Sequence, residues 1–417
     1  MRSSLVSKSA VAAKIKTTAS PLRAKLSNGL QVVSQDNGGA VSQLILAFRA
    51  GSRYQSTTQQ GLVHHIRNFV GRDVQSYPGL QLVWASAASG GQMNSFASRD
   101  ILGVHMAVPR DTAEYALSIL GQVASRPAFK PWEIEDVLPT IRADLTRKTP
   151  YGIVFEDIHR AAFRNDSLGH SLYAQKNEIG RFGSEEMKEF AKKHFVNGNG
   201  VLVGINVDSE TLNNYGEQNG AIQDGSLVVS HLSPFRGGDY RRTSPGSAVH
   251  VIIAGTGAQN NDVKQLAAQS IIAAHIQTTV SPLTQNILPG GVPSGSAVSA
   301  SYDGSGLIGI YLNTTAAMSD PLVRRTVEEF RNLKIKNLEG TKRRAINEIL
   351  FNSQNTVFTG FDLATAALHK GPEPSAIIEE IQKIQEKDVN GFVKTAFERI
   401  AISAYGNCSG ITYSDEI

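Results

Sequence analysis

Residues 42–54 read SQLILAFRAGSRY. Leu44 to Phe48 form an unbroken apolar run bounded by Gly51, the pattern of a short strand that ends at the glycine. A similar order returns at 247–257 as SAVHVIIAGTG, which sets Gly51 against Gly255, 204 residues later. FASRDILGVHMA matches SYDGSGLIGIYL in the same way, with Gly103 against Gly309, 206 residues apart. GSEEMKEFAKKHF matches EKDVNGFVKTAF, with Phe195 against Phe397, 202 residues apart. Three similar offsets in one order predict an α+β fold made of two homologous domains, an internal duplication.

Outward from these anchors, the first domain opens at AKLSNGLQVVSQ, where Asn28-Gly29 signals a tight turn and alternating apolar residues follow. GGQMNSFASRDILGVHMAV reads as two more strands, and GVLVGINV as a closing one. DTAEYALSILGQVA has helical spacing with Asp111 placed as its N-cap. PWEIEDVLPTIRADL is a helix with Pro131 at its start and Pro139 inside it, where a kink or break is expected. GSEEMKEFAKKHF is a further helix with Ser184 as cap. The boundaries so drawn are 23–213 for the first domain and 247–417 for the second. Residues 214–246, rich in Gly, Ser, Asn and Pro, form an extended linker.

The chain has 417 residues, 41% of them hydrophobic and 19% charged, which suits a globular protein of two domains. A lone cysteine, Cys408, cannot form an internal disulfide and favours a reducing compartment. No apolar run approaches the roughly 20 residues that span a bilayer. The first 22 residues carry Arg2, Lys8, Lys14 and Lys16, with Arg23 and Lys25 just beyond, and no acid precedes Asp36. Basic, acid-free and rich in Ser and Ala, residues 1–22 read as a mitochondrial presequence cleaved somewhere in residues 10–25. Those six positives exceed the net charge of +4, leaving about −2 for the mature chain, so bulk charge gives no reason to expect nucleic-acid binding.

Residues 60–71, QGLVHHIRNFVG, resemble a zinc-peptidase helix of the form H-x-x-E-H. On a helix, positions i and i+4 share a face, so two histidines can hold the metal while the glutamate takes a proton from its bound water. Here His64 fills the first histidine position, Arg67 the glutamate position and Asn68 the second histidine position. Asparagine is a poor zinc ligand and arginine is no base. One positive charge at about 5 Å from a dication costs about 6–7 kcal/mol at an effective dielectric of about 20. Adjacent helical residues point about 100° apart, so His64 and His65 do not converge on a metal either. His105, His159, His170 and His194 lack ligand spacing, and His159 reads as hydrogen-bonded between helices. No nucleophile elbow or phosphate-binding loop is present; GTGAQN is a tight turn and LPGGVPSGS a flexible loop. The sequence therefore calls for no metal and no cofactor.

The pieces KLSNGLQVV, AGSRY, GLVHHIRN, GGQMNSFASRD and FEDIHRAAF…LGHSLY, in this order, resemble the pitrilysin and mitochondrial processing peptidase superfamily. The resemblance implies that each half is an α/β sandwich. It also implies a third zinc ligand, a glutamate on the helix before FEDIH; aligned without gaps from Phe155, that position holds Arg142, while the acidic Glu135 is kept. With Arg67, Asn68 and Arg142 departing from the pattern, the resemblance implies a peptidase-like domain without peptidase activity. Arg67 and Arg142 are then expected to pair with Glu135 or a neighbouring acid.

Within the superfamily, PWEIEDVLPTIRAD, HRAAFRNDSLGHSLY and SASYDGSGLIGIYL are most similar to the core protein 2 subunits of ubiquinol–cytochrome c oxidoreductase, respiratory complex III. That likeness implies a structural subunit on the matrix side of the mitochondrial inner membrane. It implies pairing with core protein 1 and contact with cytochrome b and cytochrome c1-type subunits in a dimeric complex. The alternatives are the alpha subunit of the processing peptidase, which recognises presequences, and an active zinc peptidase. The first is marked by a glycine-rich loop where this chain has QTTVSPLTQNIL; the second would need zinc held by His64 with unrelated ligands.

Overall fold

The computed structural model describes residues 20–218, 220–285, 295–335 and 337–417. The expected presequence falls almost wholly outside them, as do the last three residues of QTTVSPLTQNIL and most of LPGGVPSGS, whereas residues 277–285 lie in the helix that ends at Gln285. The first half runs β1 (Leu22–Lys25), β2 (Gln31–Gln35), β3 (Val41–Phe48), α1 (Leu62–Arg67), α2 (Gly79–Ala88), β4 (Gln92–Ala97), β5 (Leu102–Pro109) and α3 (Ala113–Ser125). It continues through α4 (Pro131–Thr146), α5 (Pro150–Phe163), α6 (Ser184–His194), β6 (Gly200–Ile205) and α7 (Ser209–Gln218). The second half runs β7 (Gly238–Thr243), β8 (Ala248–Thr256), α8 (Val263–Gln285), β9 (Gly295–Tyr302), β10 (Ser305–Thr315) and α9 (Ala316–Arg331). It ends with α10 (Leu338–Asn352), α11 (Thr356–Leu368), α12 (Pro374–Lys383), α13 (Glu386–Ala396) and β11 (Ala401–Gly406).

The strands form two sheets, ordered β1-β2-β6-β3-β5-β4 and β7-β11-β8-β10-β9. In each sheet one pair is parallel, β2 with β6 and β7 with β11, and the next three pairs are antiparallel. The duplication is thus carried by topology as well as sequence. Phe195 and Phe397 cap the C-termini of α6 and α13, and Gly103 and Gly309 pair with Ala47 and Ala254. The glycine match at the strand ends is displaced. Gly255 pairs with Ile308, as Phe48 does with Leu102, so the counterpart of Gly255 is Phe48 and not Gly51. Phe48 stacks on Phe195 at 5.1 Å, whereas a Cβ on Gly255 would meet the Ala396 carbonyl at 2.1 Å. A glycine is needed there for backbone approach, and Gly51 lies beyond the end of β3, against Ser98 and Arg99.

Each sheet has its own helices on one face and a helix of the other half on the second face. On β3, Leu44, Leu46 and Phe48 face the core built by α1, α3, α4 and α6. Ile45 and Ala47, with Val201 and Val203, face Leu363, Ala364, Ala367 and Leu368 of α11. On β8, Val249, Val251 and Ile253 face α8, α9 and α13, while Ile252 and Ala254 face Val154, Ile158, Ala161 and Ala162 of α5. The strand period of two aims alternate residues at the two halves, which is why both central strands are continuous apolar runs. Ser403 Oγ on β11 donates to the Val154 carbonyl of α5 at 2.8 Å.

Polar contacts join the halves at the AGSRY motif. Arg49 donates to Asp303 at 3.0 Å and to the Leu368 carbonyl at 3.3 Å. Arg53, fully buried, pairs with Asp100 at 2.6 Å and donates to the carbonyls of Asp303 and His231.

Local expectations shift in several places. The helix expected to be capped by Asp111 begins at Ala113, after a 3-10 turn over Arg110–Thr112, and Thr112 bonds the Ser89 carbonyl instead. α4 runs unbroken through Pro139, which lies on its exposed side where water can take the freed carbonyl. Gly183, not Ser184, precedes α6, and its N–H is satisfied by Glu186 at 3.0 Å. The stretch 214–246, expected as an extended linker, holds the end of α7 and all of β7; polar residues hide α7, and β7 is an edge strand with no buried face. Leu22, expected in the presequence, is already in β1.

Candidate functional site

α1 is a six-residue helix entered through Gly61 at φ +94, a conformation suited to glycine; a Cβ there would also meet Ala174 at 2.8 Å. Both histidines of α1 are buried. His65 is held by two backbone groups: its Nδ1 donates to the Gly61 carbonyl at 2.8 Å, and its Nε2 accepts from the Gly180 N–H at 3.1 Å. It ties the helix start to the loop before α6.

His64 points the other way, toward α4. Its Nδ1 accepts from the Ala174 N–H at 3.2 Å, which places the proton on Nε2, and Nε2 donates to Asp144 at 3.1 Å. Burial, reinforced by the Arg67 charge and opposed by Asp144, lowers its pKa to about 4, so His64 is neutral at physiological pH. Asp144 gathers two further donors, the Arg67 guanidinium and, at 3.5 Å, the Asn68 amide. Burial raises the Asp144 carboxyl, but the His64 hydrogen bond and the Arg67 charge outweigh it and hold the pKa below the usual value. The Asn68 amide also donates to the His64 carbonyl at 2.9 Å and closes the last turn of α1.

Sequence reasoning placed His64, Arg67 and Asn68 together, and the structure brings them together. It placed Arg142 and Glu135 wrongly. Both are exposed on α4, and the residue of that helix that reaches α1 is Asp144. An ungapped register from Phe155 crosses the α4–α5 turn and falls two residues short of the inward position. His159 is hydrogen-bonded, as expected, but its partner is a strand and not a second helix: its Nε2 bonds the Tyr302 hydroxyl of β9 at 2.7 Å, joining a helix of one half to a strand of the other.

A zinc ion does not fit these residues. His64 and Asp144 are two donors, already bonded to each other, and Arg67 fills the space beside the carboxylate with positive charge. The general base is absent, and the amide at 68 turns its N–H donors toward His64 and Asp144. Among the described residues, no three His, Cys, Asp or Glu side chains form a group able to hold a metal.

The description "Insulinase (Peptidase family M16)" matches residues 31–176, and "Peptidase M16 inactive domain" matches residues 181–342. The two cover most of the chain in the order the sheets require. The chain belongs to peptidase family M16. Among curated M16 relatives, it is 26% identical to human cytochrome b-c1 complex subunit 2, mitochondrial, over 98% of this chain and 96% of that one. It is 26% identical to the protein of the same name from Cryptococcus neoformans, over 97% of each. It is 21% identical to the probable mitochondrial-processing peptidase subunit alpha-1 of Arabidopsis thaliana, over 94% of this chain and 83% of that one. In this M16 chain α1 packs against α4, with the Asp144 carboxylate and the Arg67 guanidinium closing its face. Among the described residues, no helix is long and apolar enough to cross a membrane.

Proposed function

We propose that this M16 chain is a non-catalytic structural subunit of the mitochondrial cytochrome b–c1 complex, ubiquinol–cytochrome c oxidoreductase. It stands on the matrix side of the inner membrane, held there by protein partners. Those partners are core protein 1 and the cytochrome b and cytochrome c1-type subunits of a dimeric complex. Electron transfer belongs to them. The observation that carries the reading is the Arg67–Asp144–His64 cluster, which occupies the place of a base and a metal in a chain that matches subunit 2 relatives nearly end to end. The residues before β1 act as the import signal, and residues 22–218 and 238–417, which include the whole of α7 and β7, are the two peptidase-like domains.

A second reading, the presequence-recognising alpha subunit of the processing peptidase, is supported by likeness to that subunit along 94% of the chain. It is weakened by QTTVSPLTQNIL, which carries no glycine. Purification from mitochondria in mild detergent separates the two. Migration on a native gel with cytochrome b and cytochrome c1-type subunits supports the first. A small heterodimer with a zinc-bearing peptidase subunit establishes the second and overturns the first.

A further inference from the structure

α5 turns one partly buried face toward the seam between the halves. Ile153, Glu156, Asp157 and Arg160 lie on it at helical spacing, and they form one wall of a cleft of about 520 Å³. The opposite wall comes from the second half, through Tyr240, Arg242 and Tyr405, and the loop after α5 closes one end with Tyr173 and Lys176. A volume of this size is typical of small-molecule sites.

The charges in the cleft do not balance. Four cations face it, Lys148, Arg160, Lys176 and Arg242, against the carboxylates of Glu156 and Asp157. Both carboxylates are already engaged. Glu156 is bonded by buried Arg99 at 3.1 Å on one oxygen and by the Leu172 N–H at 3.0 Å on the other. Asp157 is held at both oxygens by Arg242, at 2.6 and 2.8 Å. Lys148, Arg160 and Lys176 have no carboxylate partner among the described residues. Two of them rest on aromatic rings instead. The Lys148 ammonium lies 3.7 Å from the Tyr173 ring centroid, and the Arg160 guanidinium lies 5.3 Å from that of Tyr240. Burial lowers the Lys148 pKa; the Glu156, Asp157 and Asp144 carboxylates oppose this and Arg242 adds to it. An ammonium in that position gains most from an anion that enters the cleft with it.

We propose that this cleft binds a small phosphate-bearing anion, with Lys148 and Arg160 as its charge partners and the tyrosine rings receiving the less polar part of the molecule. Several separate N–H and hydroxyl donors around one volume suit a tetrahedral anion with several acceptor oxygens better than a single carboxylate. The source is either a soluble phosphorylated compound or the headgroup of an anionic lipid, and the two are separable by experiment.

Isothermal titration of the full chain with inorganic pyrophosphate, and co-sedimentation with phosphatidylglycerol or phosphatidylcholine vesicles, are to be run on the parent protein and three variants. One pyrophosphate per chain is expected. Lys148→Gln should weaken binding about tenfold or more, the scale of one lost charge-assisted hydrogen bond. Lys176→Gln should weaken it severalfold, and Lys188→Gln, on α6 outside the cleft, should leave it unchanged. Selective binding to phosphatidylglycerol vesicles that the same two variants weaken, without pyrophosphate binding, assigns the lipid source. No saturable binding of either probe tighter than about 1 mM, or equal binding by the parent and Lys148→Gln, overturns the proposal. Should Lys148→Gln fail to fold by circular dichroism, Lys176→Gln, at an exposed position, decides the matter in the same way.

Discussion

The double substitution Arg67→Glu with Asn68→His is expected to create a zinc site where the parent chain has none. Asp144 already stands 3.1 Å from His64 Nε2 and 3.5 Å from the Asn68 amide nitrogen, so an imidazole at position 68 would meet the same carboxylate. Arg67 is the electrostatic obstacle. Its guanidinium is bonded to Asp144, so a dication on that carboxylate would lie about 5 Å from a positive charge, a repulsion of about 6–7 kcal/mol at an effective dielectric of about 20. The Arg67 side chain is 22% exposed, and solvent screening plus side-chain movement reduce the figure to roughly half. Half of it is about two to three decades of affinity. Asn68→His alone should therefore bind zinc hundreds of times more weakly than the double variant. A competition titration against a chromogenic chelator, with metal content measured after gel filtration, reads both. Equal affinity in the single and double variants would refute the charge argument. No binding in either would mean that the α1–α4 geometry, and not its lost side chains, excludes the metal.

Three further perturbations test what holds the fold and its two halves together. Asp303→Asn leaves Arg49, whose side chain is 9% exposed, without its carboxylate; because Asp303 itself is 28% exposed, the expected loss is about 2 kcal/mol in urea unfolding. A change below about 0.5 kcal/mol would show that the pair contributes little. Acid should destabilise the fold early. His64 and His194 each have a pKa lowered from 6.5 to about 4, mainly by burial, so the neutral ring is favoured by folding. Their contribution is complete above pH 6.5 and is lost as pH falls to about 4, on the order of 3 kcal/mol each, so urea midpoints should drop steeply across that window and little above it. Residues 20–218 and 238–417 expressed separately should aggregate and, expressed together, associate, because each lacks the helix that covers its sheet. A monomeric half that unfolds cooperatively would sink this expectation.

The same exchange of helices explains which parts of the fold were legible in the sequence. The succession of strands and helices and the duplication were legible because both halves repeat one set of apolar runs and caps, and Phe195 and Phe397 sit at the same helix ends. The glycine match at 51 and 255 misled because two physical needs select the same residue. Gly255 admits the Ala396 carbonyl, whereas Gly51 admits the 98–99 backbone in a turn that the second half builds otherwise. The two-sided burial of β3 and β8 was encoded in their continuous apolar character, but the identity of the covering helix was not. Val154, Ile158, Ala161 and Ala162 on α5 form a stripe like that of any helix packing on its own sheet. The site was half legible for a related reason. His64, Arg67 and Asn68 lie within one turn and a half of helix, where spacing fixes geometry. Asp144 comes from a helix 76 residues beyond Asn68, and only packing selects it over Arg142. One signal could have found it. In the last turns of α4 the buried Ile141 marks the inward side, and Asp144 stands three residues on, beside that side, while Arg142 projects to solvent. A guanidinium on α1 needs a carboxylate within reach, and helical periodicity leaves Asp144 as the acid near that face.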